Sequence, residues 1–149
     1  MKRRPENYVT LEFLSRSSNE GFARLAAAAF AAQLDPTLDE LGDIKTAVSE
    51  AVTNCIVHAY PASVGEIYIW VGLFDDGLVR IRIRDRGCGI ADVRQAMEPL
   101  FTTLGGERAG LGFAVMESFM DKVRVRSAPD RGTSVTMDKL IKGRGDGQS

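Results

Sequence analysis

Gly77-Leu78-Val79-Arg80-Ile81-Arg82-Ile83-Arg84-Asp85-Arg86-Gly87-Cys88-Gly89-Ile90 is the stretch on which the fold turns. Val79, Ile81 and Ile83 alternate with arginines, so a strand here has one apolar face and one basic face. Residues 66 to 75 alternate in the same way, and Asp75-Asp76-Gly77 between the two runs predicts a tight hairpin. A sheet with a single apolar face must be covered by another layer. Asp85 continues the apolar parity, and a carboxylate there is costly unless it is hydrogen-bonded or paired.

Working outward, Val9, Leu11 and Phe13 alternate as a half-buried first strand. Ser18 or Asn19 can cap a helix through Phe22, Leu25, Ala29 and Phe30 to about Leu34, which Asp35-Pro36 ends. A second helix is predicted from near Leu38 to Tyr60, stopped by Pro61, and a short one near Asp92 to Met97. A further helix begins near Gly110 and runs through Phe113, Met116 and Met120. Val123 and Val125 mark a strand, Pro129-Asp130-Arg131-Gly132 a turn, and Thr133 to Leu140 the last strand. The expectation is an α+β, two-layer sandwich with a mixed, mainly antiparallel sheet and helices on one face. Residues 1–142 form one domain, with a frayed glycine-rich tail at 143–149.

The chain has 149 residues, enough for one domain with a substantial core. A net charge of -1 argues against a general nucleic-acid binder. No apolar run reaches the roughly 20 residues of a membrane span, and Met1 to Tyr8 lacks the apolar stretch of a secretory signal. Two cysteines, Cys55 and Cys88, make neither a disulfide framework nor a metal pattern. A reduced, cytoplasmic setting is the economical expectation.

Three clusters exceed structural need. Asp85 is either a strand-end acid that turns to solvent or caps a turn, or an acceptor for the exocyclic amine of adenine. Gly87 and Gly89 after it allow a flat ligand to approach the backbone. Glu50, Asn54 and His58 recur every four residues beside the apolar face of Ile44, Val48, Ala51, Cys55 and Ala59. They read either as a polar helix edge or as a base, a neutral oxygen ligand and a hydrogen-bonding group. Gly105-Gly106-Glu107-Arg108-Ala109-Gly110-Leu111-Gly112 enters a helix and reads as a surface loop or as a phosphate site, with Arg108 bridging oxygens. It is not a Walker A sequence, since no Gly-Lys-Ser/Thr follows.

Taken together, the clusters resemble the GHKL superfamily of ATPases and kinases. Glu50 to His58 is similar to its helical motif, Asp85-x-Gly87-x-Gly89-Ile90 to its adenine motif, Gly110-Leu111-Gly112 to its phosphate loop, and Gly132-Thr133 to its last motif. Ser49 to Asn54, Pro99-Leu100-Phe101-Thr102-Thr103, Gly112-Phe113 with Met116-Glu117, Phe30 to Pro36 and Phe119-Met120-Asp121 resemble the sporulation anti-sigma-F factors. These are serine kinases that also sequester a sporulation sigma factor. The resemblance implies ATP or ADP and Mg²⁺ as cofactors, with Glu50 as general base and Asn54 as Mg²⁺ ligand. It implies Asp85 and Thr133 at adenine, with Gly87 and Gly89 beside them, and His58 orienting the site. Thr102, Thr103, Arg108, Gly110, Leu111 and Gly112 would lie along the phosphates. Thr102 to Glu107 is about one residue short of the family pattern and has Leu104-Gly105-Gly106 where a Lys-Pro pair is common, implying a more flexible lid.

The implied partners are a sigma factor of the sigma-F type, an anti-anti-sigma protein phosphorylated on serine, and a second copy of the chain, with no direct nucleic acid and no membrane. Glu20 and Arg24 are the candidate docking edge. Related readings are a stress-response, sigma-B-type anti-sigma kinase and an ATP-gated sigma-binding module with little catalysis. A split histidine kinase fits less well, because the one histidine lies inside the nucleotide motif. Parity also sends Tyr68, Trp70, Arg80, Arg82, Arg84, Arg124 and Arg126 to the sheet's outer face.

Overall fold

The computed structural model describes residues 3–97 and 109–143. Its strands are β1 (Asn7–Leu14), β2 (Glu66–Leu73), β3 (Leu78–Asp85), β4 (Lys122–Ala128) and β5 (Gly132–Leu140). They form one sheet in the order β1-β2-β3-β5-β4, and each of its four pairings is antiparallel. The helices are α1 (Asn19–Ala31), α2 (Leu38–Asn54), the short α3 (Val93–Ala96) and α4 (Ala109–Phe119).

The alternation that predicts the hairpin also sets the core. Cross-strand rows such as Ile69–Ile83–Val135 and Val71–Ile81–Met137 stack apolar side chains on one face. Ile67, Ile69, Val71, Val79 and Ile81 are fully buried beneath Ile44, Ala47, Val48 and Val52 of α2. Each such side chain contributes about 2 kcal/mol on leaving water. At the far end of β5, Lys139 is nearly buried with its charge satisfied. It pairs with Asp43 of α2 at 3.1 Å and donates to the carbonyl of Phe119, where α4 ends, at 2.8 Å.

Four details of the helices go beyond the sequence reading. In α1, Phe22 and Leu25 face outward, each 56% exposed, while Ala23, Ala27, Ala28 and Ala31 are buried. Small side chains let α1 lie close to α2 and the sheet. Ser18 occupies the N-cap position with no side-chain cap bond, and Asn19 instead reaches back to the carbonyl of Leu14 at 2.9 Å. A three-residue 3₁₀ turn, Ala32–Leu34, closes α1 before Asp35 turns left-handed. Finally, α2 does not run regularly to Tyr60. After Asn54 the chain widens into a π-helical turn, Cys55–Ala59, in which the Tyr60 N–H reaches the Cys55 carbonyl at 3.2 Å.

Residues 98–108, including Thr102, Thr103 and Arg108, and the tail beyond Gly143 lie outside the described residues.

Candidate nucleotide site

Asp85 ends β3 in a row with Ile67 and Thr133. It is only 7% exposed, so the solvent-facing reading fails. Its Oδ1 accepts the Gly87 N–H at 2.9 Å and the Thr133 N–H at 3.1 Å, while Oδ2 accepts the Cys55 thiol at 3.5 Å. Burial raises its pKa above the ordinary aspartate value, and the three hydrogen bonds only partly offset that. Burial, together with the Asp85 charge, pushes the Cys55 thiol well up, so it remains a protonated donor rather than a nucleophile. Thus Oδ1 is saturated by backbone, and Oδ2 has acceptor capacity left.

That capacity faces a cleft of about 410 Å³, open mouth included, whose walls include Ala51, Cys55, Ala59, Ile90, Phe113 and Val135. Asn54, His58, Gly89 and Thr133 complete its polar rim. A slot of apolar walls with one buried acceptor suits a flat heterocycle carrying an amine. Gly89 shapes one wall at φ 75°, a left-handed backbone where a β-carbon would collide with the carbonyl of Ala128. Gly87 does not line the cleft; it acts through its N–H on Asp85.

A second cleft shares Asn54 and His58 and adds Glu50, Thr53, Val57, Gly112 and Val115. Here α2 and the start of α4 meet. The Asn54 Nδ2 is buried without a hydrogen-bond partner among the described residues. A β-carbon on Gly112 would lie 3.1 Å from Asn54 Nδ2 and 3.3 Å from Glu50 Oε2, so glycine keeps this junction open. An unpartnered buried amide normally costs about 1–3 kcal/mol, which a ligand can recover. Its oxygen and nitrogen are interchangeable by rotation, and Mg²⁺ bound to phosphates typically takes only one or two protein oxygens. Asn54 therefore fits such an ion. Gly110 and Leu111 lie in the first turn of α4, whose free N–H groups favour anions.

Sequence reading missed the site roles of Cys55, Ser127 and Tyr60. Ser127 Oγ accepts the Ile90 N–H at 2.7 Å and lies 2.7 Å from the Thr133 hydroxyl, fastening the adenine-side loop to β4 and β5. Counting back from the turn at Pro129 places residue 127 opposite 133, so the pairing was available. The Tyr60 hydroxyl accepts the Arg86 N–H at 2.7 Å and donates to the Glu66 carbonyl at 2.8 Å. Nothing in its local pattern signalled that role. Glu20 and Arg24 lie on α1, outside both clefts, as an ion pair at 2.6 Å; Glu20 also accepts the Ser49 hydroxyl at 2.6 Å.

Residues 15–139 match the family described as histidine kinase-like ATPase domain. The chain is 57% identical over 136 residues to the anti-sigma F factor of Caldanaerobacter subterraneus subsp. tengcongensis, covering 91% of this chain and 94% of that protein. It is 54% identical over 143 residues to the anti-sigma F factor of Pasteuria penetrans, covering 95% and 93%. Among solved structures, that of the RsbU and RsbW domains of Rv1364c from Mycobacterium tuberculosis superposes with a TM-score of 0.68 at 22% identity, over 92% of this chain and 32% of that one.

Proposed function

The chain belongs to the histidine kinase-like ATPase domains and, within them, to the anti-sigma F factors, and on that premise we propose an ATP- and Mg²⁺-dependent protein-serine kinase that also sequesters a sporulation sigma factor of the sigma-F type. The observation that carries the reading is the junction of two clefts at Asn54. Its buried Nδ2, without a hydrogen-bond partner among the described residues, stands between the slot of Asp85 and the carboxylate of Glu50.

In this reading Asp85 Oδ2 accepts the adenine amine, the apolar slot holds the ring, and Thr133 and Ser127 fix the wall beside it. His58 orients the junction. Backbone N–H groups at Gly110 to Gly112 meet phosphate oxygens, joined by Thr102, Thr103 and Arg108. Mg²⁺, held by Asn54, would neutralise phosphate charge and align the leaving group. Glu50 accepts the hydroxyl proton of a serine on an anti-anti-sigma protein as that oxygen bonds the γ-phosphorus. The bond from the γ-phosphorus to its bridging oxygen breaks, and ADP leaves.

Arg24 is the candidate contact for both protein partners, with the exposed Phe22 and Leu25 supplying apolar area on the same helix. Glu20, with one carboxylate oxygen on Arg24 and the other on Ser49, sets Arg24 against the helix that carries Glu50. The sigma-F reading is preferred to the stress-response one because relatives at 51–57% identity bear that name.

The test is transfer from labelled ATP to an anti-anti-sigma protein, with the product residue located. Glu50→Gln should lower transfer at least about 100-fold, the usual scale of a lost general base, while ATP still binds. Transfer undiminished in that variant rejects the assignment of Glu50. Arg24→Glu should weaken sigma-factor capture about tenfold or more, and normal capture would remove Arg24 from the contact.

A further inference from the structure

We propose that a third cleft, on the outer face of the sheet, docks an extended acidic segment of a protein partner. It is an open groove of about 790 Å³, mouth included, whose charged lining is Arg84, Arg86, Arg126 and Arg131, with Ser134 among them. The chain as a whole carries a net charge of -1, so four guanidiniums in one groove are a local excess. Asp85 also borders the groove, but its carboxylate is engaged inward by Gly87, Thr133 and Cys55.

The arrangement is ordered by the sheet. Arg84 on β3 and Arg126 on β4 are both in register with Ser134 of β5, so they flank one strand about 10 Å apart, twice the usual strand spacing. Arg84 and Arg86 both rest over the ring of Tyr68, at 5.7 and 5.2 Å, which limits the side-chain freedom lost on binding. Further along the same face, Asp138 neutralises Arg80 at 2.8 Å and Arg124 at 3.5 Å. Among the described residues no carboxylate pairs with any of the four groove arginines. The charge is thus balanced at one end of the face and left open at the other.

Carboxylates at alternate positions of an extended chain recur about every 7 Å, within reach of guanidiniums set this far apart. Nucleic acid is the less suitable occupant. Binding of single strands draws on exposed aromatic faces for base stacking, and here the guanidiniums already cover Tyr68. The openness of the groove suits a chain segment better than an enclosed small anion.

The test uses the whole protein and a fluorescein-labelled octapeptide alternating Glu and Ser, with a Gln-Ser octapeptide as control, followed by anisotropy at two salt concentrations. The acidic peptide should bind, the control should not, and affinity should fall with salt. The double variant Arg126→Gln/Arg131→Gln should weaken binding about tenfold, while its thermal midpoint and ATP binding stay unchanged. Equal binding by the variant overturns the proposal. So does a single-stranded oligonucleotide of equal charge that binds more tightly and depends on the same arginines. A variant that sediments as a monomer where the wild type is a dimer would assign the groove to a second copy instead, and overturns it as well.

Discussion

At the scale of single residues, Asp85 shows how function is carried against stability. Its pKa is raised by burial, so relative to the unfolded chain it favours folding only in acid. That contribution is present below the ordinary carboxylate range and is lost as pH rises through the raised value. At neutral pH the ionised group is a net cost that the apo fold tolerates. Asp85→Asn keeps an oxygen for the Gly87 and Thr133 N–H groups but replaces the acceptor facing the slot with a donor. We expect ATP binding to be lost by calorimetry, with thermal stability unchanged or slightly higher. In the wild-type protein, nucleotide affinity should fall as pH is lowered, beginning above the value of about 3.9 typical of a free aspartate. Normal ATP binding by the Asn variant would reject the whole pocket assignment.

At the scale of elements, α2 supports the site because its two ends are fixed differently. Its start is a capping box: the Glu40 N–H donates to the Thr37 hydroxyl at 3.1 Å, and the Thr37 N–H to Glu40 Oε1 at 2.9 Å. Glu40 also accepts the Lys142 N–H at 2.8 Å and the Gly143 N–H at 3.1 Å, so one carboxylate holds the end of β5 against α2. Burial pulls the Glu40 pKa upward, but backbone N–H donors outweigh it and leave the group below its ordinary value. Its contribution is therefore present above the unfolded glutamate pKa and is lost as pH falls through the lowered one. Glu40→Ala should reduce stability in urea by about 1–2 kcal/mol at neutral pH, the range for a lost cap, and the difference should shrink in acid. A difference independent of pH would show that the carboxylate charge is not what matters. The other end of α2 was legible in composition but not in geometry. Glu50 and Asn54 follow regular four-residue spacing, whereas the π turn after Asn54 has no local signature and changes how His58 is presented. Strand parity survived intact because a period of two fixes each face outright. In α1, which is apolar nearly all round, hydrophobicity could not say which side is buried, and alanine size decided it.

At the scale of the molecule, the sheet's outer face has no covering element among the described residues, and its chemistry is uneven. Tyr8 stacks on Trp70 at 6.2 Å with the planes 26° apart, and Arg82 lies 5.6 Å from the Trp70 ring. Tyr8 is 61% exposed on β1, an edge strand whose outer backbone groups have no sheet partner among the described residues. Two copies apposed over the arginine rows would bring like charges together, whereas the Tyr8–Trp70 corner and the β1 edge offer aromatic area and free hydrogen-bonding groups. A stable dimer needs roughly 800 Å² from each partner, and aromatic residues are enriched among its strongest contacts. The proposed homodimer is therefore expected to centre on this corner, leaving the arginine groove between β3 and β4 accessible. Trp70→Arg puts a cation at that centre and should shift sedimentation toward the monomer by at least tenfold in dissociation constant, with ATP binding retained. An unchanged dimer would move the contact off this face, while a monomer that still binds the acidic peptide would separate the two surfaces physically.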